Sequence, residues 1–199
     1  MNKEKGNKIS EDEALVRAIQ SGDSTAFDKL VLRYKDRIFS LCFRFLGDYQ
    51  EAENCAQDVF LKIYRSIKNF RFESSFYTWL YRTAVNTCKN RLKSAEYRNL
   101  KQHISIKNPE EGDKNSRYAE PSDERKDPLA EIEKKERISL IQEAIDSLPA
   151  EHKGVIILRD IEGLSYREIT SITGYRLGTL KSKLARARAS LRQKLGRMI

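Results

Sequence analysis

The sequence is short of what a catalytic or metal centre is made from. It holds two histidines and three cysteines in 199 residues. Neither His103 nor His152 lies near a cysteine in the chain. Cys42, Cys55 and Cys88 are scattered and show no C-x-x-C spacing. This pattern argues against a zinc module and a disulfide framework, and the thiols read as small core filler inside helical patterns. No His/Asp/Glu cluster has metal spacing, no glycine loop is built to cradle phosphate, and no Ser/His arrangement is present. An enzyme is therefore not expected, nor a catalytic residue, a metal or a cofactor. No run of about 18 apolar residues exists, so no membrane insertion is expected. The opening stretch MNKEKGNKISEDEAL lacks the apolar segment of a secretory signal, and a cytoplasmic location is expected. Strand-like alternation of any length is missing from the first half, which therefore reads as all-helical.

What is abundant is positive charge. The formal net charge is +9, with 38 Lys/Arg against 29 Asp/Glu, and the pI is near 9.4. Such a balance favours a polyanionic partner, nucleic acid before membrane. The charge gathers at the end of the chain: Leu164–Ile199 carries nine basic residues and one acid, Glu168.

That terminal stretch reads as a helix-turn-helix. Ser165 and Glu168 stand in the S-x-x-E relation of a capping box, so a helix begins there. Gly174 can take the left-handed conformation that stops it. A second helix is predicted from Gly178 or Thr179. Its Leu180, Leu184, Ala187, Leu191 and Leu195 form one narrow stripe. Thr179, Ser182, Arg186 and Gln193 fall on the other side, with Lys181, Lys183, Arg188 and Arg192 flanking, while Ala185 and Ala189 keep the outer surface low. A slim helix with short polar residues and basic edges fits a DNA major groove. A solvated basic helix on a small core is the blander alternative.

Upstream, residues 1–10 read as a disordered tail. Helices follow around Ala14–Ile19, from Phe27 to Phe45, and from about Gln50 to Lys68, with Gly47-Asp48 as a stop. After the loop NFRFESS, capped by Ser74 or Ser75, comes FYTWLYRTAVNTCKNRL. On a helical wheel Leu80, Tyr81, Ala84, Val85, Cys88 and Leu92 face inward. Trp79, Arg82, Thr83, Asn86, Asn90 and Lys93 form the other face. Aromatic rings among cations suit single-stranded nucleic acid, where each stacked base contributes roughly 1–3 kcal/mol. Equally, Trp79 can pack under the preceding loop. Residues 96–136 hold nine basic and eleven acidic residues with Pro109, Pro121 and Pro128. They read as a linker whose r.m.s. span as a coil of about 40 residues is roughly 35 Å. Helices resume at Ile138–Leu148 and Val155–Ile161, ended by Pro149 and Gly163.

Together these features resemble the extracytoplasmic-function (group 4) sigma factors of bacterial RNA polymerase. SGDSTAFDKLVLRYKDRIFSL is similar to the start of their region 2. AENCAQDVFLKIYRSIKNF resembles their polymerase-docking helix, FYTWLYRTAVNTCKNRL their −10 segment, and LPAEHKGVIILRDIEGLSYREI with LGTLKSKLARAR their region 4. The resemblance implies an all-α fold of two small domains, a region 2 bundle over residues 11–95 and a region 4 helix-turn-helix over 137–199, joined by the flexible linker 96–136. It implies three partners: core RNA polymerase through its largest-subunit clamp and flap, promoter DNA, and an anti-sigma factor. By position, Asn86 aligns with the pocket for a flipped −10 base. Phe76, Tyr77, Trp79 and Tyr81 align with the melting segment, which Arg82 adjoins. Asp58, Phe60, Lys62 and Tyr64 align with the clamp contact. Tyr166 and Arg167, then Lys181, Ser182 and Arg186, align with −35 contacts, and Thr179 and Lys183 flank these on the same helix. The chain departs from the family pattern at Asn54, where a second acid is usual, at Cys55, where a branched aliphatic is usual, and at Arg176, where proline is usual. A conventional helix-turn-helix regulator, whose first domain senses a ligand or dimerises, is the competing reading.

Overall fold

The computed structural model describes residues 10–94 and 140–198. The expected tail and linker, apart from Ser10, lie outside the described residues. Within them the secondary structure is helical throughout, with no strand.

Helix α1 (Glu11–Gln20) begins at Ser10, whose hydroxyl accepts from the Glu13 amide. Helix α2 (Thr25–Leu46) ends where Gly47 turns left-handed at φ 73°, a conformation open to glycine at little steric cost. Asp48 then caps α3 (Tyr49–Ser66), accepting from the Glu51 amide at 2.7 Å. A single 3-10 turn (Ile67–Asn69) leads to the loop before α4 (Phe76–Lys93). Ser75, not Ser74, caps α4 by accepting from the Thr78 amide. The inward faces meet as the periodicity predicts: Leu30, Ile38, Leu41, Ala52, Val59, Ile63, Leu80, Ala84 and Val85 are all buried. Burial of side chains of this size contributes about 1.5–3 kcal/mol each before entropy is counted.

The second half starts with a short helix α5 (140–146). Helix α6 (Ala150–Ile156) runs into one π-helical turn, Ile157–Ile161, ended near Gly163 at φ 70°. Helices α7 (Tyr166–Thr173) and α8 (Leu177–Met198) complete the chain. Leu180, Leu184 and Ala187 of α8 pack beside Ile169 and Ile172 of α7, while Leu191 is only partly covered. The capping box is present in full: the Glu168 amide donates to Ser165 Oγ, and the Ser165 amide donates to Glu168 Oε2 at 2.8 Å. Gly174 stops α7 at φ 73°. Helix α8 starts at Leu177, earlier than Gly178 or Thr179, because the Leu180 amide already donates to the Arg176 carbonyl at 2.9 Å.

The two halves share one continuous apolar cluster. Gly154 in α6 lies so close to Phe45 that an added Cβ would sit 3.3 Å from its ring. Beside it, Lys153 is 1% exposed. Its ammonium donates to the Phe45 carbonyl at 2.7 Å and pairs with Asp146. A buried charge needs such partners to persist. Gln142 adds a hydrogen bond to the Arg44 carbonyl.

Candidate nucleic-acid interface

Helix α4 is held from its N-terminal side by an aromatic loop. Phe70 packs on Trp79 with ring centroids 4.8 Å apart, and Phe76 lies edge-on to both. Phe72 adopts φ 58°, rare outside glycine, and carries the Arg17 guanidinium 4.4 Å from its ring centre. Trp79 is thus fixed under the preceding loop, half-buried, with Thr83 donating to its carbonyl. This is the expected packing of Trp79 under the loop, and it leaves part of the ring accessible.

Across the surface of α4 run Arg82, Asn86, Asn90 and Lys93, all exposed and spaced by four, four and three residues. That spacing sets them on one stripe. Tyr77 is half-buried. Phe76 at 5% and Tyr81 at 1% exposure are interior, Tyr81 as its period predicts, so of the four aligned aromatics Tyr77 and Trp79 are the two that reach the surface. Tyr81 is inward because its ring meets Tyr77 at 4.2 Å across one helical turn, and burial raises both phenols. Arg82, though exposed, is engaged: it donates to the Ser171 carbonyl of α7 at 2.5 Å.

Helix α8 exposes Thr179, Lys181, Ser182 and Arg186, with Ala185 and Ala189 beside them leaving the surface low. Arg167 is exposed on α7. Tyr166 is half-buried, with the Arg159 guanidinium 5.0 Å from its ring centre. Lys183 lies on the inner flank, unlike its neighbours. It pairs with Glu151 and sits 5.1 Å from the Tyr175 ring centre. Its hydrogen bond draws the Glu151 carboxyl below its usual value. In this arrangement Lys183 braces α8 on α6. Arg188 is likewise held by Asp160 through two hydrogen bonds.

On α3, Asp58, Lys62 and Tyr64 are exposed, Tyr64 by 56%, and Phe60 is half-buried. Leu61, exposed by 50%, adds apolar area to this surface. Lys62 curls back to α4 and donates to Thr87 Oγ1 at 3.0 Å.

Three groups escaped the sequence patterns. Glu162 sits between the halves, its carboxylate 3.7 Å from Arg44. Burial raises its carboxyl, against the lowering pull of Arg44 and Arg37. Lys89 lies 5.2 Å from the Tyr175 ring centre, and burial lowers its ammonium. The third group is the cysteines: scattered in sequence, they meet in space, with all three sulfurs within 4.8 Å of one another. No periodicity signals such a meeting, since each thiol satisfies only its own helix's inward face.

Residues 30–97 match the family description "Sigma-70 region 2", and residues 138–191 match "Sigma-70, region 4". The RNA polymerase sigma-H factor of Pseudomonas aeruginosa is 40% identical over 183 residues, covering 91% of this chain and 92% of that protein. The ECF RNA polymerase sigma-E factor of Escherichia coli K12 is 36% identical over 190 residues, covering 94% and 96%. Among solved structures, CnrH in complex with the cytosolic domain of CnrY has a TM-score of 0.65 at 20% identity, covering 93% of this chain and 97% of that one. The sigma factor RpoE in complex with the anti-sigma factor NepR from Bartonella quintana has a TM-score of 0.58 at 22% identity, covering 85% and 96%. These two likenesses concern the fold.

Proposed function

The chain belongs to the sigma-70 family of RNA polymerase sigma factors, in its extracytoplasmic-function group, and on that premise we propose how its surfaces divide the work of promoter recognition. It is an alternative sigma factor that directs core RNA polymerase to particular promoters. The chemistry of RNA synthesis belongs to the polymerase. The observation that carries this reading is the near full-length identity to sigma factors, with regions 2 and 4 in the family's order.

Residues 11–95 serve as region 2, 96–136 as linker and 137–199 as region 4. The α3 surface of Asp58, Phe60, Lys62 and Tyr64 docks on the polymerase clamp, with Leu61 adding apolar area. Asn86, at the middle of the exposed α4 stripe, receives an unstacked base of the −10 element, an event that costs a few kcal/mol and is offset by pocket contacts. Trp79, braced by Phe70, forms one wall. On α8, Lys181, Ser182 and Arg186 read the −35 element, with Arg167 and Thr179 on phosphates, which fix register without reading sequence.

The two DNA elements lie apart, so the halves separate when both are bound. Breaking the Arg82–Ser171 hydrogen bond frees one end of the α4 stripe. An anti-sigma partner, of the kind bound to the RpoE of Bartonella quintana, would hold the halves together instead.

Run-off transcription with core polymerase on fragments of the organism's genome tests the proposal. Transcripts that appear only with this protein support it and define the promoter. If the protein neither binds core nor redirects it, yet shifts duplex DNA alone, it acts as a conventional helix-turn-helix regulator.

A further inference from the structure

Three helices of the first half each send one cysteine to the same point. Cys42 comes from α2, Cys55 from α3 and Cys88 from α4, and each is 0% exposed. Cys88 is the hub, its sulfur 3.6 Å from that of Cys42 and 3.7 Å from that of Cys55. All three sulfurs fall within 4.8 Å of one another. These are the only cysteines in the chain.

The spacing can be compared with two chemical fates. Metal–thiolate bonds of about 2.3 Å set sulfur–sulfur separations of roughly 3.8 Å around a tetrahedral ion and 4.0 Å around a planar three-coordinate one. The two short separations lie within a few tenths of an ångström of those figures. A disulfide of about 2.05 Å would instead pull two of these sulfurs together by roughly 1.5 Å, within a packed core. The fixed positions therefore suit an ion at the centre better than a bond between two members. We propose that Cys42, Cys55 and Cys88 form an all-sulfur site for one soft, thiolate-seeking metal ion.

The donor set selects the class. Thiolates favour soft ions over magnesium or calcium, which take oxygen ligands. Among the described residues no histidine, carboxylate or further cysteine joins the cluster. The site therefore favours an ion content with three sulfurs over one that demands a fourth protein ligand. Binding a divalent ion replaces three S–H bonds by three metal–sulfur bonds and releases up to three protons, leaving one net negative charge. Two cations stand close enough to draw on Cys55, Lys62 and Arg91. Arg91 is already paired with Glu51, whereas Lys62 reaches Thr87, the neighbour of Cys88. An occupied site would tie α2, α3 and α4 at one point. On the function proposed above, α3 is the docking helix and α4 the −10 helix, and α2 packs against both.

The test uses the full-length reduced protein with Cd²⁺ as probe and Mg²⁺ as the hard-ion control. Cd²⁺ is supplied both to the native protein and during refolding, since the sulfurs are covered. The expected result is a cadmium–thiolate absorption that saturates at one ion per chain and is absent with Mg²⁺. It is accompanied by a rise in thermal midpoint, as for any ligand that prefers the folded state. The variants Cys88→Ala and Cys42→Ala, each checked for native Trp79 fluorescence, should weaken binding by at least tenfold. Three results overturn the proposal: no one-to-one absorption under either condition, a lowered midpoint, or absorption undiminished in both variants. A lowered midpoint would mean that Cd²⁺ prefers the thiols of the unfolded chain.

Discussion

The ammonium of Lys153 donates to the main-chain carbonyl of Phe45 across 108 residues of sequence, at 2.7 Å and out of contact with water. The same ammonium pairs with Asp146. Lysine supplies both reach and charge here, and its neighbour Gly154 lies against the Phe45 ring, where an added Cβ would sit 3.3 Å away. This contact joins the end of α2 to the body of the second half.

Lys153→Met keeps the stem and removes the charge. It leaves the Phe45 carbonyl without this donor and Asp146 without this cation. Asp146 keeps some access to solvent, so the loss should be about 1–3 kcal/mol, the range for an unmade buried hydrogen bond. Urea unfolding followed by the single tryptophan, Trp79, and by far-UV circular dichroism measures it. In the wild type both probes should move together. In the variant the halves should unfold in separate steps, and an unchanged midpoint with coincident probes would mean the contact contributes nothing.

Asn86 lies on the exposed stripe of α4, clear of the core. Asn86→Ala should therefore leave the unfolding free energy within about 0.5 kcal/mol of wild type, as for most surface changes. Promoter opening should suffer far more than duplex binding. Permanganate footprints of the −10 region report opening, and gel shifts report binding. Footprints of wild-type intensity would remove Asn86 from the proposed role.

The parts of the fold set by local chemistry were legible in the residues. The capping box at Ser165–Glu168 and the left-handed Gly174 fix α7, and the leucine stripe orients α8. Helix α8 starts earlier than its capping residues suggest because Leu177 carries no capping signal, while the Leu180 amide already reaches the Arg176 carbonyl. The parts set by long-range packing left no trace in spacing. Lys183 has the same polar identity whether it faces DNA or Glu151. Tyr81 was read inward by its period, and only the resemblance grouped it with the melting aromatics. The cysteines looked dispersed because 13 residues separate the first two and 33 the last two, while helix packing cancels both distances.

Arg186 stands on the exposed side of α8 beside Ser182. Arg186→Ala should cost about 1–3 kcal/mol on a matched −35 element if the guanidinium reads a base edge. The penalty should shrink on an element mismatched at that base. Competition assays with both DNAs, at a fixed salt concentration, separate the cases. An equal loss on both would make Arg186 a phosphate contact, and the salt slope should then fall by about one.

Glu162 supplies a pH dependence to the contact between the halves. Its carboxyl is raised above the usual value, first because it is buried. Arg44 and Arg37 and the Tyr81 hydroxyl act the other way, and Tyr77 packs against Tyr81 beside them. A carboxyl with a raised value binds its proton more tightly in the closed arrangement than when freed. The closed form is thus favoured below the ordinary glutamate range, and this contribution fades as pH rises through the raised value. Small-angle scattering across pH 4.5 to 7.5 should show the radius of gyration increasing with pH in the wild type (about one proton's worth of linkage). Glu162→Gln, which mimics the protonated acid, should stay at the compact value and lose the trend. The same pH trend in the variant would assign the titration to another group, and the buried glutamate would then be a bystander to closure.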